Sequence, residues 1–105
     1  MTPEDFNIEV ENSCNRSKRL LIKKSTEYPK GTDRLGQFKH IGTLNSQHPI
    51  EALWGIVSKH IQSLAVMVKN PSSYNLKQWR KKSGDLRNYT ILLEALLLDT
   101  EGEDL

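Results

Sequence analysis

Between Pro49 and Leu98, apolar side chains return at every third or fourth residue. Ile50, Leu53, Trp54, Val57, Ile61, Leu64 and Val68 form one series, and Leu76, Trp79, Ser83, Leu86, Thr90, Leu93 and Leu97 a second. A period near 3.6 lines each series along one stripe of an α-helix, whereas successive residues of a strand face opposite ways. The chain holds no alternating run and no Asn-Gly or Asp-Gly hairpin turn. The fold class expected is therefore all-α: a compact helical bundle with two long C-terminal helices and a shorter N-terminal helical part.

The punctuation supports those limits. His48-Pro49 opens the first long helix, Asn70-Pro71 ends it, and Asn75 is placed to cap the second. Upstream, Thr2-Pro3-Glu4-Asp5 reads as a helix start, and Phe6, Val10, Cys14 and Leu21 carry that helix to about Ser25. Tyr28-Pro29-Lys30-Gly31 stops it. Thr32-Asp33 can then cap a short helix through Phe38 and Ile41, ending near Gly42. The 105 residues make about one domain, expected over residues 1–98, with 99–105 as an acidic, disordered tail.

The last helix is too apolar for one stripe. From Tyr89 to Leu98 only Thr90 and Glu94 are polar, and a helix apolar nearly all round needs cover on several sides. A homo-oligomer through residues 89–98 is the expected cover, with wrapping by the N-terminal helices as the alternative. No run approaches the ~18 apolar residues of a membrane span, and the acidic N-terminus lacks a secretory h-region. Cys14 is the only cysteine, which excludes an intrachain disulfide or a cysteine-based zinc site. A cytoplasmic location, that of the host cell if the chain is phage-encoded, is the expectation, with no membrane partner.

Charge is arranged in blocks behind a net value of +2. Residues 1–11 hold four acids and no base, and residues 12–42 hold eight bases against Glu27 and Asp33. Residues 76–98 hold five bases against Asp85 and Glu94, and the tail from Asp99 is acidic again. Basic blocks of this kind suit an anionic partner, although solvated helix faces are charged as well.

Four patches carry candidate chemistry. In Gly31–Phe38, Arg34 lies in the first turn of a helix start, where an anion can meet free backbone N–H groups, although the glycine spacing of a P-loop is missing. In Trp54-Gly55-x-x-Ser58-Lys59-His60, a lysine and a histidine sit one turn beyond a helix glycine. Such a glycine costs ~1 kcal/mol against alanine, which points to a close helix crossing or to a ligand touching backbone. Ser83-Gly84-Asp85-Leu86-Arg87-Asn88-Tyr89 has a second helix glycine beside Asp85, Asn88 and Tyr89, with Asp85 expected to pair with Lys59 or His60 across the crossing. Tyr74, Trp79, Arg80, Lys81 and Lys82 put rings beside cations, as a base or nucleotide uses them, while Trp79 also fits the core stripe. A magnesium site is not expected: Glu51, Asp85, Glu94 and Asp99 show no metal-binding spacing on the two long helices.

As an ordered set, Gly31-Thr32-Asp33-Arg34-Leu35…Phe38, Ala52-Leu53-Trp54-Gly55…Lys59-His60…Ser63 and Gly84-Asp85…Asn88-Tyr89-x-Ile91-Leu92-Leu93 resembles a family of small all-α proteins common in bacteriophage genomes. The pattern is distantly similar to nucleotide-modification-associated and MazG-type helical proteins, which handle nucleoside phosphates. The acidic metal cage of the MazG type is absent, so hydrolysis does not carry over. The resemblance implies a base-rich pocket between helices, and by analogy a sponge that sequesters a nucleotide messenger of host defence.

The reading is a helical oligomer that binds an anionic, nucleotide-derived small molecule without transforming it, with no cofactor and no metal. Lys59, His60 and Arg87 would meet phosphate, with Arg34 closing from its loop. Asp85 and Asn88 would read ribose or base edges, and Tyr89 or Trp54 would stack. The alternatives are a divergent nucleotide pyrophosphohydrolase, and an inhibitor that binds nucleic acid or a host protein through the basic block from Arg16 to Lys39.

Overall fold

A computed structural model of the chain, describing residues 1–102, contains α1 (Pro3–Thr26), α2 (Gly36–Leu44), α3 (Pro49–Lys69), a single 3-10 turn (Pro71–Ser73) and α4 (Leu76–Glu101). The described residues are all-helical apart from turns and loops, with no strand. The chain divides into two compact units, Met1–Thr32 and the part that begins at Asp33.

The first unit is essentially α1. Thr2 caps it by accepting the Asp5 N–H at 3.1 Å, and Pro3 occupies the first turn, where its missing donor costs nothing. Glu4 and Asp5 lie at the N-terminal end and Lys23 and Lys24 at the other, which suits the helix dipole. Arg16 reaches back to Glu9 at 3.0 Å and to Ser13 at 2.9 Å. Ser17 is buried, whereas Phe6, Val10 and Cys14 on the same stripe are exposed.

In the second unit, α3 and α4 lie antiparallel in a constant register. Glu101 accepts from His48 at one end, His60 stacks on Tyr89 midway, and the Trp79 indole N–H donates to the Pro71 carbonyl at the other end. α2 packs against α3, and Leu35 and Phe38 join Leu53, Val57 and Leu96 in the core. Ile50, Ile56, Leu86, Tyr89, Leu92 and Leu93 border that core. The α2–α3 turn is tight because Gly42 has no Cβ: one built there would stand 2.8 Å from the Gln47 carbonyl oxygen and 3.1 Å from the Pro49 nitrogen.

Several sequence expectations need revision. α2 starts at Gly36 and runs two residues past Gly42, with Leu35 at its N-cap and no side-chain cap. The α3 stripe is rotated from the expected one. Its core face is centred on Leu53, Val57 and His60, leaving Trp54, Ile61 and Val68 exposed. α4 continues through Glu101, so Asp99–Glu101 belong to the helix and not to a tail; residues 103–105 lie outside the described residues. Two ties hold this end: Lys39 Nζ donates to Asp99 at 2.6 Å, and His48 Nε2 meets Glu101 at 2.8 Å. In the segment expected to form an oligomer, Leu96 is buried and Leu92 and Leu93 border the core, while Ile91, Ala95 and Leu98 remain exposed.

Candidate functional site

The polar centre of the second unit lies halfway along the α3–α4 pair. His60 falls on the core face of α3 and Tyr89 on that of α4, and their rings stack with centroids 4.8 Å apart at 30°. Asn88, next in sequence to Tyr89, is only 8% exposed. His60 Nδ1 and Asn88 Oδ1 are both buried without a hydrogen-bond partner. A buried polar atom without a partner costs ~1–3 kcal/mol, and such atoms are rare enough in native structures that each needs an explanation. Asp85, one turn before Tyr89 on α4, and Arg87 are both half-buried.

Of the residues expected to form a site, the structure joins His60 to Tyr89, with Asn88 buried next in sequence and Asp85 one turn earlier on α4, whereas Arg87 lies two residues before Tyr89, on nearly the opposite side of the helix. Lys59 is exposed, one residue round the helix from His60. Trp54 is corrected: at 54% exposed it lies outside the core stripe, because the neighbouring Leu53 takes the inward position. Asp85 is corrected too. Its ion-pair partner is Lys81, one turn earlier on its own helix at 3.9 Å, and not Lys59 or His60. An intrahelical neighbour at i, i+4 is always within reach, whereas a partner across the pair needs the right azimuth on both helices.

The glycines do not mark a crossing. Nothing lies within 4 Å of a Cβ added at Gly55, and at Gly84 the nearest atom is Arg87 Nη2 at an ordinary 3.5 Å. The Gly31–Phe38 patch is occupied by its own acid. Asp33 Oδ1 accepts the Leu35 N–H at 3.0 Å, and Oδ2 accepts from Lys39 at 2.7 Å. An external anion at this helix start would meet a resident carboxylate. Arg34 is half-buried beside it. Trp79 spends its indole N–H on Pro71 and meets Tyr74 edge-on at 6.1 Å, so it fastens the α3–α4 connection.

Two polar features were not anticipated from the sequence. Lys39 bridges Asp33 and Asp99, residues sixty positions apart in the latter case. The Lys39 ammonium pulls the Asp33 carboxyl below the usual carboxylate range, assisted by the Leu35 N–H. Asp33, and after it Asp99, hold the Lys39 ammonium above its ordinary value. The second is His48. It caps α3 by accepting the Ile50 N–H at Nδ1, 3.1 Å away, which leaves Nε2–H to donate to Glu101. Among the described residues no group of three or more histidine, cysteine or acidic side chains is arranged to hold a metal ion. Among the described residues no helix is long and apolar enough to cross a membrane.

The chain matches no protein-family model, no curated protein and no solved structure.

Proposed function

We propose that the middle of the α3–α4 pair binds a small anionic ligand of nucleotide type and holds it without transforming it. The observation that carries this reading is the pair of buried atoms, His60 Nδ1 and Asn88 Oδ1, that lack hydrogen-bond partners within the chain. A ligand bearing an amide or amino edge answers an unpaired carboxamide oxygen, and an imidazole nitrogen can accept or donate. Tyr89 supplies an aromatic surface, Asp85 a further acceptor, and Arg87 and Lys59 the cations for phosphate. Three or four charge-assisted hydrogen bonds, toward the upper end of ~1.5–3 kcal/mol each, reach the ~8 kcal/mol of micromolar retention. In a phage setting, such retention amounts to sequestering a signalling nucleotide.

Thermal-shift titration against cyclic dinucleotides, cyclic ADP-ribose variants and nucleoside triphosphates tests the reading. A ligand at one hundred times its Kd adds ~2.7 kcal/mol to the folded state. The expected result is a shift with one of these classes that His60→Phe, which keeps the ring contact, removes. No shift with any class refutes it.

One observation favours a second reading. Asn12, Asn15, Lys18, Arg19, Ile22 and Lys23 line an open groove along α1, where the basic block begins. A polyanion lying in it would bind with a steep salt dependence through released counterions. Binding to single-stranded or duplex oligonucleotides that is insensitive to salt, or absent, excludes that reading.

A further inference from the structure

One flank of α3 is an uncovered apolar seam. Trp54, Ser58, Ile61, Ala65 and Val68 follow at alternating steps of four and three, and all five are exposed. The large members show 54%, 44% and 65% of their surface. Scattered apolar residues on a surface need no explanation, but a contiguous stripe does, and this spacing is that of the a and d positions of a two-stranded coiled coil.

We infer that a second copy of this chain docks on the flank, its α3 antiparallel to the first, with a two-fold axis passing between Ser58 and Ile61. The sequence of sizes favours that arrangement. In this register Trp54 lies over the partner's Ala65, and Ile61 over the partner's Ser58, so these two large side chains each meet a small one, while Val68 falls level with the partner's Glu51. A parallel pairing sets Trp54 on the partner's Trp54 and Ala65 on the partner's Ala65, crowding one level and emptying another. Charge selects the same orientation. Glu51 lies in the first turn of α3 and Lys69 in the last. They are about five helical turns apart and so share one margin of the stripe. Antiparallel pairing brings Glu51 beside the partner's Lys69, twice by symmetry, whereas parallel pairing leaves the two charges at opposite ends of the interface. The contact is isologous and closes at two copies. It uses the side of α3 turned away from His60, and stands whether or not the polar centre takes a ligand.

Sedimentation velocity of the full chain across micromolar concentrations tests the inference. The expected result is a mass that rises from 12.0 kDa toward twice that value, with Trp54 emission shifting to shorter wavelength on association. Ile61→Asp weakens the dimer at least about tenfold, as loss of a central interface anchor does. Val68→Asp serves as a second variant should Ile61→Asp fail to fold, with helicity checked by circular dichroism. Glu51→Lys weakens the dimer, and Glu51→Lys combined with Lys69→Glu restores it. A mass fixed at that of one chain overturns the inference. So does a dimer that ignores both aspartates on α3 yet dissociates with Leu98→Asp on α4. Failure of the double charge reversal to restore association overturns the antiparallel register.

Discussion

The same substitution at two helix glycines is expected to act with opposite sign. At Gly42 an added methyl meets Gln47 O at 2.8 Å, Pro49 N at 3.1 Å and Pro49 Cα at 3.3 Å. All three are backbone atoms and none can swing aside. Gln47 is itself fixed by its N–H donating to the Gly42 carbonyl at 2.7 Å, and Pro49 begins α3. Overpacking against so rigid a wall costs ~2–3 kcal/mol, and the better helix propensity of alanine returns ~1 kcal/mol. Gly42→Ala is therefore expected to lose ~1–2 kcal/mol. At Gly55 the methyl meets nothing within 4 Å, so Gly55→Ala gains up to ~1 kcal/mol. Urea denaturation at one fixed protein concentration reads both. For a domain of this size each kcal/mol moves the melting temperature by ~4–8 °C. A Gly42→Ala protein as stable as the unsubstituted chain would show that the α2–α3 turn does not approach as closely as described. Loss of stability in Gly55→Ala would mean that this flank is covered in the isolated chain.

Trp79→Phe removes the 3.3 Å bond to Pro71 O and is expected to cost ~1 kcal/mol in the urea midpoint; no change would make the indole contact incidental. Lys39→Met severs both ties of the ammonium to Asp33 and Asp99, and hydrogen exchange of the last α4 turn is expected to quicken while mid-helix amides stay protected. The pH dependence of the same cluster has a definite sign. Asp33 is held low, so its contribution is complete above the ordinary carboxylate range and lost as pH falls through its depressed value. Lys39 is held high, so its contribution is complete below the ordinary ammonium range and lost as pH climbs through its raised value. The difference between the unsubstituted chain and Lys39→Met should therefore be flat through neutrality, shrink at both extremes, and diminish in high salt because the groups are exposed; growth toward acid pH would contradict this assignment.

The architecture was legible where one local rule decided it. Proline at the starts of α1 and α3, Thr2 at the cap of α1, Asn75 at the cap of α4, and two long 3-4 series placed the starts of three helices, while α4 runs three residues past its expected end. Azimuth was less legible. The series of seven residues along α3 includes both Leu53 and Trp54, which are 100° apart, and only the position of α2 and α4 decides that Leu53 turns inward. The site followed the same division. His60 and Tyr89 meet because each lies at the middle of its core face, whereas the Asp85 pairing failed because Lys81 is nearer along the same helix. The Lys39–Asp99 tie joins distant parts of the chain, and no local pattern signals it. The glycines misled for a related reason: their helix cost is a local property, but its compensation is not, and at Gly55 this chain alone supplies none.

Under the proposed ligand reading, Asn88 Oδ1 stays buried without a partner in the chain because a ligand completes it. Asn88→Leu separates that role from structure, since the substitute keeps the branching at Cγ and removes the orphaned oxygen. Calorimetric titration and melting of the two proteins with the nucleotide that shifts the unsubstituted chain form one measurement. Asn88→Leu is expected to melt higher, by the equivalent of ~1 kcal/mol, and no longer to bind. A variant that melts lower, or that binds the nucleotide as the unsubstituted chain does, contradicts that reading.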